Sequence, residues 1–348
     1  MIAGLIAFTV ALLASITLTV PVRQLALRAG MVDHPGPRKV HLTPIPMLGG
    51  LAIYCGVVLA ILISIDGQAR AQMVGILAGA TLVALVGILD DRGLLHHQIK
   101  LFGGMPVAAL ILLASGVHAQ VLSVFLPGPT GRLADAALTV LWVVGITASF
   151  SILDHMDGLC AGVAAMASLF FTIFATLSGQ VLVSTLAAAV LGAALGFLRW
   201  NFNPAKIFMG DGGAMFLGFL MATLALKLRP TEPPQVNSWL IPVLILGVPI
   251  FDTTLVSISR SRRGLLPFAT PGKDHAAHRL ANLGLGQRRA VLALYGLGGV
   301  FGLLALVVNH LPVRQSYALA GAIAVAKMVA VALLERAPFD REQPKKTT

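Results

Sequence analysis

Residues 180–198 read QVLVSTLAAAVLGAALGFL, a run without one charged side chain that stops at Arg199. A helix needs about 20 mostly apolar residues to cross roughly 30 Å of hydrocarbon, and this run has that length. Its small residues, among them Ala187, Ala188, Gly192, Ala193 and Gly196, suit the close approach of helices within a bilayer. Working outward, similar windows recur near 2–22, 46–65, 73–89, 101–118, 136–153, 159–178, 213–227, 237–258, 290–309 and 316–334. The pattern predicts eleven membrane helices. Alternating segments of about ten residues, the mark of a membrane β-barrel, do not occur, nor does a repeat of fixed period. The expected fold is an all-α, polytopic integral membrane protein: one domain over 1–335 and a short disordered cytoplasmic tail over 336–348.

Composition supports the same reading. Of 348 residues, 57% are hydrophobic and 11% charged, whereas a soluble domain carries about 25% charged residues. Too few charges are available to cover a soluble surface, which argues against ordinary cytosolic enzymes and disordered chains. The two cysteines, Cys55 and Cys160, both fall in predicted helices, so a disulfide framework is excluded. No charge precedes Arg23, so the first segment lacks the basic start of a cleaved signal peptide and reads as a retained span.

With eleven spans and the N-terminus outside, 19 of the 25 Lys and Arg residues fall on the inner side, 5 on the outer, and Lys327 within the last helix. That asymmetry places the C-terminus in the cytoplasm. It also accounts for most of the net charge of +11. A nucleic-acid partner would call for a basic soluble module, and the chain offers none.

The acids are one-sided as well. Asp90, Asp91, Asp154, Asp157, Asp211, Asp252 and Asp274 all fall at or near the inner ends of predicted helices. Carboxylates at membrane depth are costly and usually functional. Packed together they repel, so either several stay protonated or a divalent cation binds. Oxygen ligands favour Mg²⁺, with Mn²⁺ as the alternative, over Zn²⁺. Lysines, arginines and histidines in the same segments complete a setting for phosphate esters.

Five strings concentrate these residues. The first runs from Asp33 to His41 and holds Lys39, then continues through Pro44, Pro46, Gly49 and Gly50; its prolines and glycines tighten a loop, and Lys39 and His41 could meet phosphate. The second is Leu89-Asp90-Asp91-Arg92, with Lys100 nearby; it lacks the third acid of a DDxxD pattern, which argues against prenyl-synthase chemistry. In the third, Leu153-Asp154-His155-Met156-Asp157-Gly158-Leu159, the spacing of three predicts both carboxylates on one helical face. The fourth is Asn201-Phe202-Asn203-Pro204-Ala205-Lys206-Ile207-Phe208-Met209-Gly210-Asp211, where an aromatic ring beside an acid at a helix start suits a base and a diphosphate. In the fifth, opened by Asp252, the core Asp274-His275-Ala276-Ala277-His278-Arg279 sets two histidines three apart, toward diphosphate or sugar. A zinc ion on that pair is disfavoured, since the nearby ligands are acids and arginines. Bland readings accompany these: Phe208 as helix packing, Asp252 as a buried partner for an arginine, and His34, His96, His97 and His155 as interface or packing residues.

In this order the strings resemble the polyprenyl-phosphate N-acetylhexosamine-1-phosphate transferase superfamily, over roughly residues 1–330. The resemblance implies transfer of a sugar 1-phosphate, GlcNAc-1-phosphate first, from a UDP-N-acetylhexosamine to undecaprenyl phosphate with release of UMP, in cell-envelope glycan synthesis at the inner membrane. It implies Asp211 as the Mg²⁺ ligand. The catalytic set it implies is Asp90, Asp91, Asp154, Asp157, His275 and His278; the substrate-binding set is Lys39, His41, Lys100, Asn201, Phe208, placed against uracil, and Arg279. Membrane lipids are further partners, and a homodimer is open. Three positions depart from the usual pattern: Ala148 and Ser151 stand where the family usually has Asn, and Ala277 stands where it often has His. The alternatives are a phospho-N-acetylmuramoyl-pentapeptide transferase, a non-catalytic relative, or a lipid-phosphate transporter.

Overall fold

A computed structural model describes residues 2–35, 43–64, 70–95, 97–229, 236–266 and 272–337. The chain runs through α1 (Ile2–Arg28), a two-residue antiparallel pair β1 (Val32–Asp33) and β2 (Ile45–Pro46), α2 (Gly50–Ser64) and α3 (Arg70–Asp91). One turn, α4 (His97–Ile99), leads through a π-helical segment, Lys100–Gly104, into α5 (Met105–Ala114). Four long helices follow: α6 (Pro129–Leu153), α7 (Leu159–Leu177), α8 (Val181–Asn201) and α9 (Asp211–Lys227). The last part comprises α10 (Leu240–Ile245), α11 (Gly247–Arg262), α12 (Ala276–Leu280), α13 (Gly286–His310) and α14 (Val313–Glu335).

The protein is an all-α membrane protein. Among the described residues seven helices are long and apolar enough to cross a membrane, by length and composition, and two apolar helical stretches are shorter. The exterior is apolar: Leu5, Leu62, Leu141, Leu303 and Leu333 are all more than half exposed. Such side chains match lipid rather than water. Every expected span corresponds to a helix, with one correction. The window at 237–258 is broken at Leu246 into α10 and α11. Pro249 has no N–H with which to reach the carbonyl four residues back, so the ladder is interrupted at this turn. Of the expected tail, everything from residue 338 lies outside the described residues.

The centre of the bundle is α9. Every residue from Gly212 to Leu226 is buried, as befits a helix that is apolar on all sides. It packs against α3 and α6, with α2 and α7 completing its surroundings. Because α9 starts at Asp211, the most enclosed helix of the molecule opens on a carboxylate.

Candidate active site

Asp211 follows Gly210, whose φ of 76° lets the chain turn sharply into α9. A side chain at Gly210 would also strike the Asp91 carboxylate. That carboxylate, at the end of α3, accepts the Asp211 N–H at 2.8 Å and the Gly212 N–H at 3.2 Å. Asp91 therefore caps α9 from a neighbouring helix, using both oxygens on the free amides and positive end of the helix.

Its neighbour Asp90 points elsewhere. Lys100, opening the π-helical segment before α5, donates to Asp90 Oδ2 at 2.7 Å and to Asp211 Oδ2 at 2.5 Å. Ser151, near the end of α6, donates to Asp211 Oδ1 at 2.5 Å. Three helices thus converge on one carboxylate.

The third string departs from expectation. α6 ends at Leu153, and residues 154–158 form a turn rather than a helix, with Gly158 left-handed at φ 76°. Asp154 and Asp157 consequently share no helical face. Asp157 Oδ2 accepts from Asn203 Nδ2 and from the Ala205 N–H, both at 3.0 Å, which ties it to the loop before α9. Asp154 stays with the acids: burial first, then the charges of Asp211, Asp91 and Asp157, push its carboxyl up to about 8.

Asn201 is 3% exposed, and both ends of its amide are occupied. Its oxygen accepts the Gly158 N–H at 3.0 Å and its nitrogen donates to the Ile207 carbonyl at 2.9 Å. Tyr295 closes the same turn by donating to the Gly158 carbonyl at 2.5 Å. The half-buried Phe208 holds its backbone against the first string: its N–H donates to the Pro46 carbonyl at 2.8 Å, and its carbonyl accepts the Gly49 N–H at 2.9 Å. Lys39 and His41, from the same string, lie outside the described residues.

The fifth string forms a separate cluster. Asp274 accepts two hydrogen bonds from Arg260, at 3.1 and 3.0 Å, and one from Arg263. Burial would raise its carboxyl, yet the two guanidiniums overcome that and hold it at about 2. Arg279 is fully buried and donates to the Asp274 carbonyl, Ser259 Oγ, the Leu334 carbonyl and Glu335. Its guanidinium fastens the loop to the end of α14. Asp252 accepts from the Ala276 N–H at 2.7 Å and pairs with His275 Nδ1 at 2.8 Å.

Sequence reasoning did not find Ser151, Asn203 or Tyr295 as parts of this site. Ser151 reads there only as a missing asparagine, and a hydroxyl sixty residues from its acid carries no spacing signal.

The donor set around Asp211 is all oxygen, and its paired cation is Lys100. Buried acids in excess of cations, with a neighbouring carboxyl forced toward its neutral form, fit a hard divalent ion. Such a setting suits anionic phosphate substrates.

Comparison with known proteins agrees with this class. The profile of glycosyl transferase family 4 matches residues 73–229, which contain all the acids of the centre. A Bacillus subtilis protein named "Probable undecaprenyl-phosphate N-acetylglucosaminyl 1-phosphate transferase" is 39% identical over 89% of this chain and 86% of its own length. The decaprenyl-phosphate N-acetylglucosaminephosphotransferase of Mycolicibacterium smegmatis is 32% identical over 93% of this chain and 87% of its own. A phospho-N-acetylmuramoyl-pentapeptide-transferase of Bacillus thuringiensis is 29% identical over 76% and 83%. The chain belongs to glycosyl transferase family 4, the superfamily its five strings resemble. It is a multi-pass membrane enzyme that transfers phosphosugars.

Proposed function

We propose that the enzyme moves GlcNAc-1-phosphate from UDP-GlcNAc to undecaprenyl phosphate and releases UMP, at the cytoplasmic face of the inner membrane. The observation that carries this reading is the convergence of Asp90, Asp91, Asp154, Lys100 and Ser151 on Asp211 at the head of the buried α9. The names of the relatives at 39% and 32% identity support GlcNAc and a polyprenyl phosphate over the muramoyl-pentapeptide alternative, whose relative is 29% identical. Eleven spans with the N-terminus outside would bring all five strings to the cytoplasm, where a soluble nucleotide sugar can reach them. The membrane would supply the lipid acceptor.

In this reading the lipid phosphate oxygen attacks the β-phosphorus, the bond to the α-phosphate oxygen breaks, and UMP departs with its electron pair. A phosphate monoester has a second pKa of about 6. The nucleophile is therefore mostly a dianion near neutrality and needs no strong base. Asp211 and Asp90 would hold Mg²⁺, or Mn²⁺, whose chemistry when bound is to neutralise diphosphate charge. Lys100 adds a fixed positive charge between the same two acids. Asp91 keeps the head of α9 in place, and Asp157 with Asn201 fixes the 201–207 loop that presents Phe208 to the uracil. His278 faces the diphosphate or sugar, with Lys39 and His41 as further phosphate contacts. Asn201 and Arg279 then act as positioning residues rather than substrate ligands.

The test is purified protein in detergent with undecaprenyl phosphate and a panel of UDP-sugars, with and without Mg²⁺, scored by UMP release. Metal-dependent UMP from UDP-GlcNAc is the expected outcome. Turnover of the muramoyl-pentapeptide nucleotide alone would replace the donor assignment. Silence with every donor in folded, lipid-supplied protein would overturn the reading.

A further inference from the structure

His155 has no part in the transfer chemistry above, yet its side chain is largely enclosed, at 13% exposed. It stands in the turn after α6, next to Asp154. Its ring stacks on that of His275, centroids 3.9 Å apart and planes 29° apart. It also lies 4.7 Å from the ring of His278, whereas His275 and His278 are 6.3 Å from each other. His155 thus fills the space between the two histidines of the fifth string. Both its ring nitrogens are buried and neither has a hydrogen-bond partner. Buried polar atoms are nearly always paired, so two bare nitrogens on one ring point to something that would pair with them. Nearest is a carboxylate: Asp252, 1% exposed, with Oδ2 at 4.0 Å from His155 Nε2 and at 2.8 Å from His275 Nδ1.

We propose that His155, Asp252 and His275 form a three-ligand site, with the fourth position left to solvent, for a borderline-soft divalent metal of the zinc class, distinct from the hard-cation site at Asp211. One ligand atom from each of the three lies within 4.8 Å of the others. Zinc takes imidazole nitrogen and carboxylate oxygen at about 2.0–2.1 Å, which sets tetrahedral ligand atoms about 3.3 Å apart. The cluster must therefore close by about 1.5 Å, a movement that breaks no hydrogen bond of the His155 ring. Magnesium prefers an all-oxygen shell with several waters and is a poor match for these donors. Burial, followed by the neighbouring His275 and His278, holds His155 well below the ordinary imidazole range, so its ring keeps a lone pair for a metal. The ligands come from three separate segments. An ion there would clamp the 154–158 turn to α11 and to the loop before α12.

The experiment uses the full chain in detergent, stripped with chelator and titrated with Co²⁺ in the presence of excess Mg²⁺. One equivalent of cobalt is expected, with the intense visible bands of a four-coordinate site, displaced by zinc and accompanied by a rise in Tm. His155→Asn should weaken cobalt binding at least tenfold, while Asp211→Asn should leave the bands in place. Absence of the bands in the parent protein overturns the proposal, as does their loss in Asp211→Asn with survival in His155→Asn, which would put the cobalt among the acids. Should His155→Asn fail to fold, X-ray absorption of the zinc-loaded parent protein decides instead: imidazole scattering supports the site, and an all-oxygen shell without it overturns the site.

Discussion

Two aspartate clusters in this molecule are built from similar parts and have opposite balances. Around Asp274, one carboxylate meets Arg260 and Arg263, and the group is held as an anion at about 2. Around Asp211, two carboxylates share Lys100, and the neighbouring Asp154 is pushed up to about 8. The first cluster is closed, with its carboxylate answered twice over from within the protein. The second lacks positive charge and can take it from a ligand. The comparison teaches that a buried aspartate near helix ends says little by itself. What separates a latch from a reaction centre is whether its neighbours satisfy it.

The sharpest break of this comparison removes the acid on which three helices converge. Asp211→Asn keeps the shape and one acceptor oxygen for Ser151, but removes the charge. Transfer should fall about 10³-fold, the scale of losing a preorganised electrostatic group, with helix content unchanged by circular dichroism. Single-turnover UMP release measures it. Activity within tenfold of the parent would mean that the centre lies elsewhere.

Asp274→Ala should do the reverse and cost stability before chemistry. It removes the carboxylate to which Arg260, whose side chain is 6% exposed, donates twice. Breaking a buried pair in this way costs about 3–5 kcal/mol. The pH dependence sharpens the contrast. Asp274 is depressed in the folded state from an ordinary value of about 3.9. The stability it contributes is therefore present above that value and is lost as pH falls through about 2. Thermal unfolding of the parent protein should show this component fading between about pH 4 and 2, and the variant should lack it. Equal acid profiles would show that the latch contributes nothing.

Much of this was legible in the sequence, for physical reasons. Uncharged runs of helix-spanning length have few alternatives to membrane helices, so the class and nearly all helices follow from them. The acids of the centre are readable because carboxylates are rare in such a chain. What failed depended on backbone detail or on contacts between distant segments. The spacing of Asp154 and Asp157 suggested one helical face, but α6 ends at Leu153 and both acids lie in the turn that the left-handed Gly158 closes before α7. Arg279 reads as a substrate cation because arginine near histidine suits phosphate; its saturation by Glu335 and three oxygens of the protein is invisible in one dimension. The nest around His155 joins segments 97 and 120 residues apart, and its two neighbours in sequence are an acid and a methionine. No spacing rule reaches it.

Asn201 tests how the loop before α9 acts. Its amide joins the Gly158 turn to Ile207, so Asn201→Ala loses two buried hydrogen bonds, about 1–3 kcal/mol for the groups left unpaired. If it positions rather than binds, kcat should fall while the KM for the nucleotide sugar holds. A rise in KM with kcat unchanged would restore it to the nucleotide contacts.

The smallest effect belongs to Arg262, at the rim of the arginine latch. It lies 3.9 Å from Glu335 Oε2, but its side chain is 70% exposed. An exposed pair at that separation gains little in water and is screened by salt, so Arg262→Ala should change stability by less than about 0.5 kcal/mol. Glu335 loses nothing it needs, because the buried Arg279 still donates to its other oxygen at 2.7 Å. Unfolding at low and high ionic strength measures this directly. A salt-dependent loss comparable to that of Asp274→Ala would mean that the latch extends to the surface, and that burial is not what divides its strong contacts from its weak ones.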